Sequence, residues 1–214
     1  MDVMDAGKAI ALGIASIPRD AYLGLERTLQ DLNLSDGRSY YQRRNLAEDA
    51  RFARGMIKIA KNRNQIYDIA RIILDDVIDK VPEPVLRWLH SAVTQKQTEA
   101  ESSWVMQNLI VTYLAQQLCE GVMMSAFFKL TIRTTLTAGV GLILTQGLLA
   151  NAANASRELV LTNPALYRKL YIKDFDMLYF MFEKPIGKIT KLIQTYQNSP
   201  AQLQESVRNL DFKG

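Results

Sequence analysis

Between Glu101 and Arg157 the chain carries only three charged residues, Glu120, Lys129 and Arg133, and nothing else in its 214 residues restricts the fold as much. Such a stretch belongs in the core of a folded chain or in a membrane, because large uncharged apolar surfaces are seldom left facing water. It holds two uncharged runs, 102–119 and 134–156. The first includes Trp104, Val105, Met106, Leu109, Ile110 and Leu114; the second includes Leu136, Val140, Leu142, Leu144, Leu148 and Leu149. A membrane-spanning helix needs about 20 mostly apolar residues, and the second run is long enough. Thr134, Thr135, Thr137, Thr145, Gln146, Asn151 and Asn154 dilute it, which makes it marginal for insertion.

Small residues concentrate in the same stretch. A glycine inside a helix costs about 1 kcal/mol against alanine, so Gly121, Gly139, Gly141 and Gly147 need a reason, and close helix–helix approach is one. The expectation is a central apolar hairpin over about 102–156. Lys129 and Arg133 fall at its tip, between arms at 104–128 and 134–155. A cationic tip would be drawn toward the negative side of a membrane potential, by roughly 2.3 kcal/mol per charge per 100 mV.

The rest of the chain reads as helix. No segment alternates cleanly between polar and apolar, and hairpin turn dipeptides are scarce. After a short apolar run at Ala9–Ile17, Ala21, Leu25, Leu29 and Leu32 trace one helical face. The next helix, about 39–61, carries Leu46, Ala50, Ala53, Ile57 and Ala60 at three-four spacing, and these are expected to face the core. Ile66, Ile69, Ala70, Ile73 and Val77 predict another helix, stopped by Pro82 and Pro84 and packed closely against the one before. Asn163-Pro164 begins a helix holding Leu166, Leu170, Phe175, Leu178, Tyr179 and Phe182, which Pro185 interrupts. Residues 186–196 and 201–210 finish the chain. The whole, 1–214, is read as one all-α domain, a multi-helix bundle with the apolar hairpin at its centre.

Composition narrows the function. Apolar residues make up 48% and charged ones 22%, as in a folded domain, so any membrane segment is local. The lone Cys119 excludes an internal disulfide and reads as a small buried hydrophobe. With one histidine, His90, there is no Cys/His metal spacing, and no cofactor or metal is expected. Asp2 and Asp5 stand where a secretory signal would carry positive charge.

Two charged motifs remain. Between Arg38 and Arg71 nine cations face three acids, and Arg44, Arg51, Arg54, Lys58 and Lys61 fall on one face of the 39–61 helix. Such a face can lie on anionic lipid. No helix-turn-helix or aromatic-interleaved pattern accompanies it, so nucleic acid is not the expected partner. Asp75-Asp76-Val77-Ile78-Asp79 is similar to the aspartate-rich motif of helical prenyl-diphosphate and terpene synthases, which implies magnesium held by Asp75, Asp76 and Asp79. The rest of that family's pattern is missing. The three aspartates are expected instead to pair with the basic helix before them. No nucleophile–base pair or phosphate loop stands out, so the chain is not expected to be an enzyme.

A basic, all-helical domain of this size with an apolar hairpin at 102–156 resembles the pore-forming domains of colicins. It also resembles the small helical membrane-depolarising effectors that bacteria deliver into rivals. The likeness is one of architecture; the hairpin here is less continuously apolar and lies farther from the C-terminus. It implies a membrane-active, pore-forming antibacterial toxin, kept soluble in the cytoplasm of the producing cell and delivered to a target membrane. It further implies membrane lipid, an immunity protein or a delivery partner as contacts, and assembly of several copies in the membrane. The alternatives are a soluble helical interaction protein, such as an immunity factor or adaptor, and a magnesium-dependent isoprenoid enzyme.

Overall fold

The computed structural model describes residues 26–31, 38–94, 102–124 and 142–196. Among them there is no strand, and the all-α expectation holds. After a helical segment at 26–31 come α1 (Arg38–Lys61), α2 (Asn64–Ile78), α3 (Glu83–Thr94), α4 (Ser103–Met124) and α5 (Leu142–Thr162). Then follow α6 (Pro164–Tyr171), a 3-10 turn (Asp176–Leu178) and α7 (Phe180–Tyr196). The readings over 1–25 and 201–210 lie outside the described residues.

Several boundaries follow from local stereochemistry. Pro84 lies in the first turn of α3, where backbone N–H groups have no helical partner to lose. Asn163 caps α6: its side chain accepts from the Leu166 N–H at 3.2 Å, with Pro164 at the first helical position. The single helix expected from 164 onward breaks instead at Ile172–Asp174. There Asp174 takes a left-handed φ of 59°, and the Phe175 N–H donates to the Leu170 carbonyl at 2.9 Å. This is a Schellman ending with aspartate in glycine's usual place, and Phe175 folds back beside buried Leu170. Pro185, expected to interrupt, is instead accommodated inside α7.

One continuous core joins the helices. α2 supplies Ile66, Ile69, Ile73, Leu74 and Ile78, and α4 supplies Met106, Ile110, Val111, Leu114, Leu118 and Val122 at repeating three-four intervals. Each such residue, fully buried, is worth about 1.5–3 kcal/mol relative to exposure. Phe175 and Phe182 close the other side. Cys119 is buried, as expected, and burial, with Glu120 nearby, pushes its thiol pKa up.

Two expectations about packing fail. Among the described residues the uncharged arms do not take each other as main neighbours: α4 lies on α2 and α3, whereas α5 lies on α6, the 3-10 turn, α1 and α7. Neither arm is strongly amphipathic, so both can be wrapped by different helices without leaving an apolar face bare. On α1 the expected inner stripe points outward, with Leu46 61% and Ile57 52% exposed and Ala50, Ala53 and Ala60 exposed beside them. Its inner face is Asn45, Glu48, Phe52, Met56 and Ile59. α1 accordingly rests against the 3-10 turn and α5 more than against α2.

Candidate functional site

The hairpin residues are dispersed. On α4, Trp104 is 70% exposed and Leu109 is exposed, while Gly121 is buried. Gly147 is buried in α5, and Leu144 lies in the first turn of that helix. Leu136, Gly139, Gly141, Lys129 and Arg133 lie outside the described residues. Among the described residues no helix is long and apolar enough to cross a membrane.

The basic face of α1 meets acids that the sequence reading did not assign to it. Arg54 donates to Asp174 Oδ1 from Nε at 3.1 Å and Nη2 at 2.8 Å. Lys58 donates to Asp174 Oδ2 at 2.9 Å and to the Lys173 carbonyl at 2.6 Å. These partners hold the Asp174 carboxyl below its ordinary range, the Arg54 hydrogen bond contributing most. Arg51 donates to fully buried Asp176 at 3.2 Å, and Ser156 of α5 donates to the same oxygen at 2.7 Å. Arg44 lies over the Tyr41 ring and 3.9 Å from Glu48, and Lys61 is exposed. Gly55 makes this approach feasible, because a Cβ there would stand 2.5 Å from the Asp174 carbonyl oxygen.

Glu48 forms a second junction. It accepts from Arg157 of α5 at 2.6 Å and from buried Arg27 at 3.2 Å; Arg27 also reaches Asp49 and the Asn45 carbonyl. Ion pairs therefore fasten α1 to the 26–31 segment, to α5 and to the 174–176 turn. Only Gly55 and the string Asp174-Phe175-Asp176 hinted at this in the sequence.

Asp75, Asp76 and Asp79, at the end of α2, do not pair with α1, and they do not converge. Asp75 stands 4.0 Å from Arg71 of its own helix and, with Asp79, Gln107 and Lys169, borders a small recess against α4. Asp76 faces the other way. It is buried, and its Oδ2 accepts from Lys80 and from the Asn163 side chain, each at 2.6 Å. It lines a cleft of about 370 Å³ between α2, the α5–α6 corner and α7, walled by Ile73, Val77, Leu166, Ile186 and Ile193. Three carboxylates split between two recesses cannot clamp one magnesium–diphosphate pair in this arrangement.

No family model matches the chain, and no curated protein or solved structure is found similar to it.

Proposed function

We propose that the chain is a membrane-active helical protein, a pore-forming or membrane-depolarising antibacterial toxin that folds in water before it inserts. The supporting observation is the outward side of α4. This helix is about 33 Å long, yet its exposed positions, Ser103, Trp104, Leu109, Gln116, Glu120 and Met124, include a single charge. Packing against α2 and α3 is mainly apolar and includes a hydrogen bond from Arg71 to Asn108. Lipid tails satisfy apolar packing almost as well as a protein core does. α4 can therefore leave for an interface without breaking an ion pair. α5, fastened through Ser156 and Arg157, follows only when those bonds yield. In this reading Gly139, Gly141 and Gly147 allow helices to approach in lipid, and Lys129 and Arg133 answer the membrane potential. First attraction to anionic lipid falls to Arg43 and Lys61, which no described carboxylate meets.

The chain has two tryptophans, so Trp88→Phe leaves Trp104 as the sole reporter. With phosphatidylglycerol vesicles its emission should shift to the blue, and a planar bilayer should show discrete current steps. Unshifted emission with a silent bilayer would reject the reading.

A second reading, a soluble interaction protein such as an immunity factor or adaptor, is favoured by α1. Leu46, Ala50, Ala53, Ile57 and Ala60 have the four-three spacing of a coiled-coil seam and face outward. Arg43, Arg54 and Lys61 flank the seam, so a helix with acidic edges suits it. A silent bilayer, together with binding of such a partner that Ile57→Glu abolishes, would put this reading first.

A further inference from the structure

The cleft beside Asp76 has the build of a ligand site. Its volume of about 370 Å³ suits a small molecule, and mostly apolar walls interspersed with polar groups are what such sites present. Asp76 is only 8% exposed. Both of its hydrogen bonds end on Oδ2, so Oδ1 takes none from a described residue. An ionised carboxylate can accept about four hydrogen bonds, so Asp76 keeps capacity for a further donor that enters the cleft. We propose that this cleft binds a small organic amine, with its ammonium group on Asp76 Oδ1 and its apolar body along Ile73, Leu166 and Ile193.

The open carboxylate oxygen favours a cationic head. Tyr179, on the same wall, has its hydroxyl pKa raised by burial first, and then by Glu183, Glu158 and Asp76, all acting in one direction. Lys80 is the cation at hand; its side chain is 63% exposed, and its ammonium is held on Asp76 Oδ2 at 2.6 Å, leaving Oδ1 to a ligand. An anionic head placed at Oδ1 would be set against the Asp76 carboxylate. A bare divalent metal is a poor occupant, since it needs several oxygen ligands and Asp76 is the one carboxylate among the lining residues. An alkylammonium suits both the carboxylate and the apolar wall. The assignment stands apart from the membrane and interaction readings, because it uses neither α4 nor the outward side of α1.

The test is an NMR titration of the full chain with three probes of one length: hexylamine, hexanol and hexanoate. Hexylamine should shift the amide signals of α2 and α7 around the cleft saturably. Hexanol and hexanoate should bind at least roughly tenfold more weakly, the scale of one charge-assisted hydrogen bond. Asp76→Asn should reduce hexylamine to the strength of hexanol. Thr190→Trp narrows the cleft while leaving Asp76 in place, and should weaken hexylamine as well. If Asp76→Asn does not fold, the wild-type series and Thr190→Trp decide. Equal binding of the three probes, absence of a saturable shift, or hexylamine binding unmoved by the variants overturns the proposal.

Discussion

Gly55 stands in the middle of α1, where propensity alone favours alanine by about 1 kcal/mol. An alanine Cβ would lie 2.5 Å from the Asp174 carbonyl oxygen and 3.0 Å from Leu178 Cδ1. Backbone cannot step aside as a flexible side chain can, so α1 must shift off the turn. Gly55→Ala should therefore destabilise by about 1–3 kcal/mol, the usual range for overpacking. Gly187, in α7, has nothing within 4 Å of its would-be Cβ. Gly187→Ala should stabilise by about 0.5–1 kcal/mol. Urea unfolding of both variants measures the contrast, and equal effects would mean that α1 does not press on Asp174. The αL conformation of Asp174 belongs to the same contact. A glycine would adopt it more cheaply, but only a carboxylate there can hold Arg54 and Lys58.

At the scale of an element, α1 has two candidate inner faces, and hydrophobicity picks the wrong one. Leu46, Ala50, Ala53, Ile57 and Ala60 are all apolar, whereas the face that is buried contains Asn45 and Glu48 beside Phe52, Met56 and Ile59. The polar pair is tolerated because Arg27 and Arg157 meet Glu48, while Asn45 donates to the Asp31 side chain at 2.9 Å. Phe52→Ala should cost about 3–5 kcal/mol. Ile57→Ala should stay within about 0.5 kcal/mol, as a surface change does. Thermal melts of the two variants decide the matter, and the reverse order would restore the face read from periodicity. α4 and α5 pose a different difficulty. With little charge on any side, neither offers a contrast from which its neighbours could be read.

For the whole molecule, the clamp of Arg54 and Lys58 on Asp174 joins residues about 120 apart in sequence and ties its stability to acid pH. The folded state holds the Asp174 pKa below its ordinary value of 3.8. The unfolded chain therefore takes up the proton first as pH falls. The stabilisation is fully present above about 3.8 and is lost as pH drops through the lowered folded value. Asn tolerates the αL backbone, so Asp174→Asn removes the charge and keeps the turn. At pH 7 it should lower the melting temperature by a few degrees, and the gap to wild type should close in that acid window. A gap that persists unchanged at low pH would show that the carboxylate's charge is not what holds the turn. Asp49 and Asp75, whose pKa values burial raises, act in the opposite sense. The difference between the two proteins isolates Asp174 from them.

Local stereochemistry by itself determined the helical class, the end of α2 ahead of Pro82, the Asn163-Pro164 start and the burial of Cys119. Each depends on residues a few positions apart: a missing N–H, a capping side chain, a small apolar group in an apolar run. Tertiary structure alone decided which side of α1 turns inward, which acids take its cations, and that α4 and α5 lie on different helices. Those outcomes rest on pairings over long sequence separations, such as Arg54 with Asp174, Arg157 with Glu48 and Ser156 with Asp176. Periodicity reports only how apolar each face is. A buried carboxylate looks like a surface residue until the arginine that meets it is brought alongside by the fold.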